Sequence, residues 1–283
     1  MTEKGQTFES AQVVKTAEGR QYHIGLAPGE VAPYVLLCGD PARAEKVSKL
    51  FAEVRVEARN REYVTFTGKT KAGTPISVMA TGIGTDNTEI AVIELSQCAE
   101  APTFIRIGSS GGLQPDIELA DLCISTGAVK LESTSDYFVP PGYPAVAHHE
   151  VVMALIEAAH EIGVRWHAGL TATACGFYGA QGRTVPGFKP RRPEIPEELE
   201  SVGVKNLEME TSLLLTLSQL RGLRAGAVCA VYANRHKDVF IDTATKDRAE
   251  ADCIRCGMAA VEILARMDRK RGDEPLWRPS HGM

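Results

Sequence analysis

Phe104-Ile105-Arg106-Ile107, followed at once by Gly108-Ser109-Ser110-Gly111-Gly112, is the stretch on which the fold reading turns. A short apolar run ends in a glycine-rich turn, and open α/β sheets bind ligands just beyond the C-terminal ends of such strands. Arg106 inside the run is costly to bury alone, so it must meet an anion or a buried carboxylate. A phosphate and a structural salt bridge satisfy that demand equally well. The turn offers free backbone N–H groups to phosphate oxygens but lacks the P-loop spacing and its lysine, which argues against a nucleoside triphosphate.

Similar runs recur on either side, at Tyr34–Cys38, Ile76–Ala80, Leu122–Thr126, Ala168–Thr173 and Ala225–Tyr232, and read as strands of a mostly buried sheet. Helical periodicity fills the intervals at Ala42–Phe51, Thr88–Cys98, Glu150–Ile162, Thr211–Leu220 and Lys246–Met267. The alternating order predicts an α/β sandwich. Pro and Gly clusters at Pro140–Pro144 and Val185–Pro196 read as loops rather than linkers. With 283 residues, 44% hydrophobic, the chain can build one substantial core, and we expect a single domain over 1–283, with 1–20 a peripheral extension and 271–283 a loosely held tail.

The formal net charge of −5 comes with no block of Lys or Arg, so a nucleic-acid partner is not expected. Neither a secretory leader nor a membrane span is visible, and seven singly scattered cysteines fit a reducing cytoplasm. Cys253 and Cys256 lack the second pair or nearby His that a zinc site needs.

Three further strand ends carry unusual residues. At Gly39-Asp40-Pro41-Ala42-Arg43, Asp40 can cap a helix whose first turn suits Pro41, and Arg43 can add a bidentate contact to an anion held there; the bland alternative is a capped helix with a surface Arg. Thr81-Gly82-Ile83-Gly84-Thr85-Asp86-Asn87 only superficially matches a dinucleotide fingerprint, since Asn87 stands where the third Gly belongs, and reads as a tight strand-to-helix turn. Phe177-Tyr178-Gly179-Ala180-Gln181-Gly182-Arg183 supplies a stacking face, an amide and a guanidinium, which suit a flat heterocycle with carbonyl and imide groups. Glu210, in Asn206-Leu207-Glu208-Met209-Glu210, can accept hydrogen bonds from vicinal sugar hydroxyls.

Taken in order with His23-Ile24-Gly25-Leu26, Arg61-Glu62-Tyr63 and Arg106-Ile107-Gly108-Ser109, these motifs resemble the uridine phosphorylases of the nucleoside phosphorylase superfamily, from about His23 to the last helix. The resemblance implies a three-layer α/β/α sandwich with a central mixed sheet. It implies that Gly39, Arg43, Arg106 and Ser109 bind phosphate, with Arg61 reaching in from a neighbouring subunit. His23 would cross the same interface towards the ribose 5′-hydroxyl. Met209 and Glu210 would hold the ribose, and Phe177, Gln181 and Arg183 would recognise uracil, helped by backbone near Glu208; Ser109 borders both subsites. Arg43, Arg106, Gln181, Arg183 and Glu210 are the expected catalytic set. A homo-oligomer with shared sites follows, a dimer assembled into a hexamer, with uridine and inorganic phosphate as substrates and no cofactor.

Departures from the pattern are informative. Purine-specific relatives carry a Ser-Asp pair after the last strand, where this chain has Tyr232-Ala233-Asn234-Arg235, and an amide cannot protonate a leaving purine. Glu62 and Ile83 match the family's potassium ligands, but Asn87 replaces the Ser, which argues against potassium. The rival readings are a purine phosphorylase or nucleoside hydrolase of the same fold and, more remotely, a non-catalytic nucleoside-binding protein.

Overall fold

The computed structural model describes residues 7, 8, 10–12 and 14–282, so part of the extension expected over 1–20 lies outside the described residues. Two compact units result, one running to Phe104 and the other from Ile105.

The first unit comprises β1 (Tyr34–Cys38), α1 (Pro41–Ser48), β2 (Glu53–Asn60), β3 (Tyr63–Lys69), β4 (Pro75–Ala80) and α2 (Thr85–Cys98). β1 pairs parallel with β4, β4 antiparallel with β3, and β3 antiparallel with β2. Every residue of β1 is buried, which explains its unbroken apolar run. β2 ends the strand order and alternates Glu53, Arg55, Glu57 and Arg59 with smaller residues. A search for apolar runs passes over such a strand, because its charges guard an open edge instead of filling a core. Between Ala80 and Thr85 the chain makes the tight strand-to-helix connection expected there.

The second unit takes most of β5 (Thr103–Gly112), then β6 (Leu122–Leu131), β7 (Ala145–Val146), α3 (His149–Glu161), β8 (Trp166–Ala174), α4 (Ile195–Ser201), β9 (Asn206–Glu208), α5 (Thr211–Leu220), β10 (Ala225–Asn234), β11 (Val239–Phe240) and α6 (Thr243–Arg271). β6 and β9 run parallel to β8, while β10 on β6 and β5 on β9 are antiparallel, so the sheet is mixed. Helices cover both of its faces. Ser125 pairs with Ala227 across β6 and β10, bonds the Thr171 hydroxyl, and shares its face with Thr173, which accepts from Ser212 of α5. Gly226, one residue from Ala227, points the other way and meets Val151 of α3, on which α6 also packs. The chain is therefore mixed α/β.

Two expectations change. The segment read as a loop to Pro196 turns helical at Ile195, where Pro196 fits the first turn. Composition predicts a loosely held tail after 270, yet Trp277 is buried, its backbone N–H bonds Glu150 at 2.8 Å and its indole N–H bonds Gly282 at 3.0 Å. One large aromatic outweighs the polar residues around it.

α3 is capped by His148, whose Nδ1 accepts from the Glu150 N–H at 3.3 Å. Burial, reinforced by His149, Arg224 and Arg271 against the opposing pull of Glu150, lowers the pKa of His148 to about 4 from 6.5. The unfolded chain therefore binds this proton more readily, and stability falls as pH drops from 6.5 towards 4. His148→Asn keeps a capping acceptor that does not titrate. Thermal unfolding across that window should show a flatter acid loss in the variant than in the parent.

Candidate functional site

In the first unit, Gly39 lies where β1 gives way to α1, Asp40 accepts from the Ala42 N–H at 2.9 Å, and Pro41 opens the helix. Arg43 follows in the first turn and is 6% exposed, too buried for the surface Arg of the bland reading. His23 and Arg61 come together around Tyr22. The Arg61 guanidinium lies over the Tyr22 ring and donates to its hydroxyl at 3.1 Å, and the His23 imidazole meets the same ring edge-on at 4.9 Å. Asn60 donates to the carbonyls of Tyr22 and His23, both at 2.8 Å. Arg61 itself turns the β2–β3 hairpin with φ 53, an exposed cation at a strained tip. Glu62 and Ile83 are exposed, and Glu62 and Asn87 flank Gly82.

In the second unit, Arg106, Glu208 and Glu210 form one buried cluster. Arg106 Nε donates to Glu208 at 2.9 Å and Nη2 pairs with Glu210 at 2.6 Å. Burial opposes the Arg106 charge, but Glu210 and Glu208 outweigh it and raise its pKa. Of the two sequence alternatives the buried carboxylates are present, and Nη1 has no protein partner among the described residues. Gly108 is forced by this arrangement, since a Cβ there would sit 2.7 Å from the Arg106 guanidinium. Ser109 follows, half-buried. Glu208 also accepts from the Thr173 hydroxyl at 2.6 Å and from the N–H groups of Glu210 and Thr211, so its side chain is committed to the protein. Met209, between the two acids in sequence, is half-buried.

The base-recognition candidates occupy one turn after β8. The N–H groups of Gln181 and Arg183 both return to the Tyr178 carbonyl, at 3.1 and 2.9 Å, which brings the Arg183 guanidinium 4.1 Å from the Phe177 ring centre. Gly182 is required at φ 68, where a Cβ would come 2.5 Å from the Pro193 carbonyl. Burial, and then the nearby Arg235, lower the Arg183 pKa to about 10. Its Nε is buried without a partner and no carboxylate pairs with it among the described residues. Gln181 is 4% exposed, with no hydrogen bond to its side-chain amide among the described residues. Arg235 holds the turn by donating to the Gln181 carbonyl at 3.0 Å.

Asn234 donates to the Ile117 carbonyl at 2.6 Å and accepts from the Lys237 N–H at 2.7 Å, which ties its amide to neighbouring backbone. Cys253 and Cys256 are buried in α6, their thiols on backbone carbonyls. Among the described residues no His, Cys, Asp and Glu cluster could hold a metal, and no helix is long and apolar enough to cross a membrane.

Sequence reasoning missed Tyr22, Asn60, Glu94, Thr173 and Arg235. Only Glu94 carried a signal, as a carboxylate in helical register with the buried Ala91 and Cys98 of α2.

The sequence profile of a family described as the phosphorylase superfamily matches residues 33–267. A uridine phosphorylase of Thermococcus kodakarensis is 48% identical over 96% of this chain and 97% of its own length. That of Escherichia coli K12 is 37% identical over 86% and 97%. A guanosine phosphorylase of Halorubrum lacusprofundi is 32% identical over 76% and 84%.

Removing the Glu208 carboxylate would strand a buried cation and orphan the first N–H groups of α5. Glu208→Ala should cost about 3–5 kcal/mol in urea unfolding at neutral pH. A loss below about 1 kcal/mol, the range of an exposed pair, would contradict the network.

Proposed function

We propose that this chain, which belongs to the phosphorylase superfamily, catalyses the reversible phosphorolysis of uridine to uracil and ribose 1-phosphate. The observation that carries this reading is the turn 177–183. Arg183 is half-buried, has no carboxylate to neutralise it among the described residues, lies over the Phe177 ring, and shares its turn with Gln181. A cation in that state gains most from a ligand that brings negative charge, which a departing uracil does.

In the proposed reaction a phosphate oxygen attacks the anomeric carbon as the bond to N1 of uracil breaks, and the bonding pair leaves with the base. The sugar passes through a cation-like state, as in other glycosidic cleavages. Arg43, Arg61 and Arg106, with Gly39 and Ser109, hold the phosphate; Met209 and Glu210 hold the ribose; Phe177 stacks on uracil while Gln181 and Arg183 bond its edge, beside the Glu208 backbone. Arg183 stabilises the charge growing on the base carbonyl. The chain works as one phosphorylase domain in a homo-oligomer, a dimer assembled into a hexamer, where His23 and Arg61 serve the partner's site. Their gathering around the half-buried Tyr22 ring supports that reading. We place the enzyme in the cytoplasm, in pyrimidine nucleoside salvage, and assign it no cofactor.

The guanosine phosphorylase relative keeps a purine reading in view, but the bonds made by Asn234 weigh against a proton donor at that position. An absorbance assay of uridine, thymidine and inosine, each with and without phosphate, separates the alternatives. Phosphate-dependent loss of uridine is expected. Loss without phosphate would indicate a hydrolase, preferential loss of inosine a purine enzyme, and no loss a binding protein. Arg183→Ala should lower kcat about a hundredfold or more with an unchanged circular dichroism spectrum. Near-normal turnover would refute its assignment.

A further inference from the structure

We propose that Glu94 is a positioning residue that keeps the proton of His23 on Nδ1 and so presents Nε2 as a hydrogen-bond acceptor to the ribose 5′-hydroxyl. The proposal rests on the reading of His23 as the 5′-hydroxyl contact.

Glu94 lies on α2, 8% exposed, and reaches back some seventy residues in sequence to the loop that carries His23. Its carboxylate takes the Ile24 N–H at 2.9 Å, the His23 N–H at 3.2 Å and His23 Nδ1 at 2.6 Å. An ionised carboxylate can only accept, so Nδ1 must be the nitrogen that bears hydrogen. In a neutral imidazole the other nitrogen then carries a lone pair. Nε2 has no protein partner among the described residues, and the side chain is 30% exposed, so that lone pair is available to a ligand. The ring cannot easily turn over. Asn60 fixes the His23 carbonyl and the Tyr22 ring braces the imidazole on another side. With its orientation and tautomer both set, His23 selects a hydroxyl donor, which a 5′-deoxynucleoside lacks.

The test compares kcat/KM for uridine and 5′-deoxyuridine in the full-length wild type, His23→Ala and Glu94→Gln. Glu94→Gln keeps the side-chain volume and one acceptor oxygen, but its NH2 can donate to Nδ1 and release the tautomer. Each variant should narrow the preference for uridine about fivefold, the worth of one hydrogen bond. A merely structural defect would lower both substrates together and leave the ratio unchanged. If His23→Ala narrows the ratio and Glu94→Gln does not, the role of Glu94 is overturned while that of His23 stands. If His23→Ala leaves it unchanged, the reading of His23 falls and takes this proposal with it. Nitrogen-15 NMR of the wild type, at a pH where the ring is neutral, gives a readout that needs no variant. Hydrogen on Nδ1 is expected, and a dominant Nε2–H tautomer would overturn the proposal.

Discussion

The second unit is organised around one buried guanidinium. Arg106 stands in an otherwise apolar strand, and an isolated charge there would cost several kcal/mol. β9 and the start of α5 resolve this by delivering two carboxylates two residues apart, Glu208 to Nε and Glu210 to Nη2. Glu208 joins four elements at once: it holds Arg106 on β5, takes the Thr173 hydroxyl on β8, ends β9, and accepts the first N–H groups of α5. The constraint then spreads outward. Gly108 must lack a side chain because the guanidinium fills that space. Arg106 is thus pinned along one edge, its orientation fixed by the protein's own carboxylates.

Arg183 is built in the opposite way. Where Arg106 is paired and its charge secured, Arg183 has an aromatic face beneath it, another Arg nearby and, among the described residues, no carboxylate partner. Burial without compensation weakens the charged form and makes any arriving negative charge valuable. The two guanidinium groups therefore differ in kind, the first charge-balanced and fixed, the second half-buried with no carboxylate partner among the described residues.

Much of this was legible in the sequence, for identifiable reasons. Strands buried on both faces, such as Tyr34–Cys38, show as apolar runs, and the capping residues Asp40 and Pro41 state where a helix begins. Arg106 announced a buried partner because nothing else tolerates a charge in that setting. The alternating charges of β2 hid an edge strand, and β9, at three residues, was too short for any period to register. At the candidate site, the proposed recognition residues stand out as motifs, but the residues that orient them do not. Thr173 and Arg235 act through contacts 35 and 54 residues away in the chain, and no local pattern encodes such pairings. Trp277 is a similar case, a single side chain that anchors a tail whose composition reads as loose.

A crystal structure with inorganic phosphate bound tests the central claim most directly. Arg106 should keep Glu208 on Nε and Glu210 on Nη2 while Nη1 donates to an oxygen of the anion. Phosphate bound elsewhere, or an Arg106 that must abandon both carboxylates to reach it, would contradict the account.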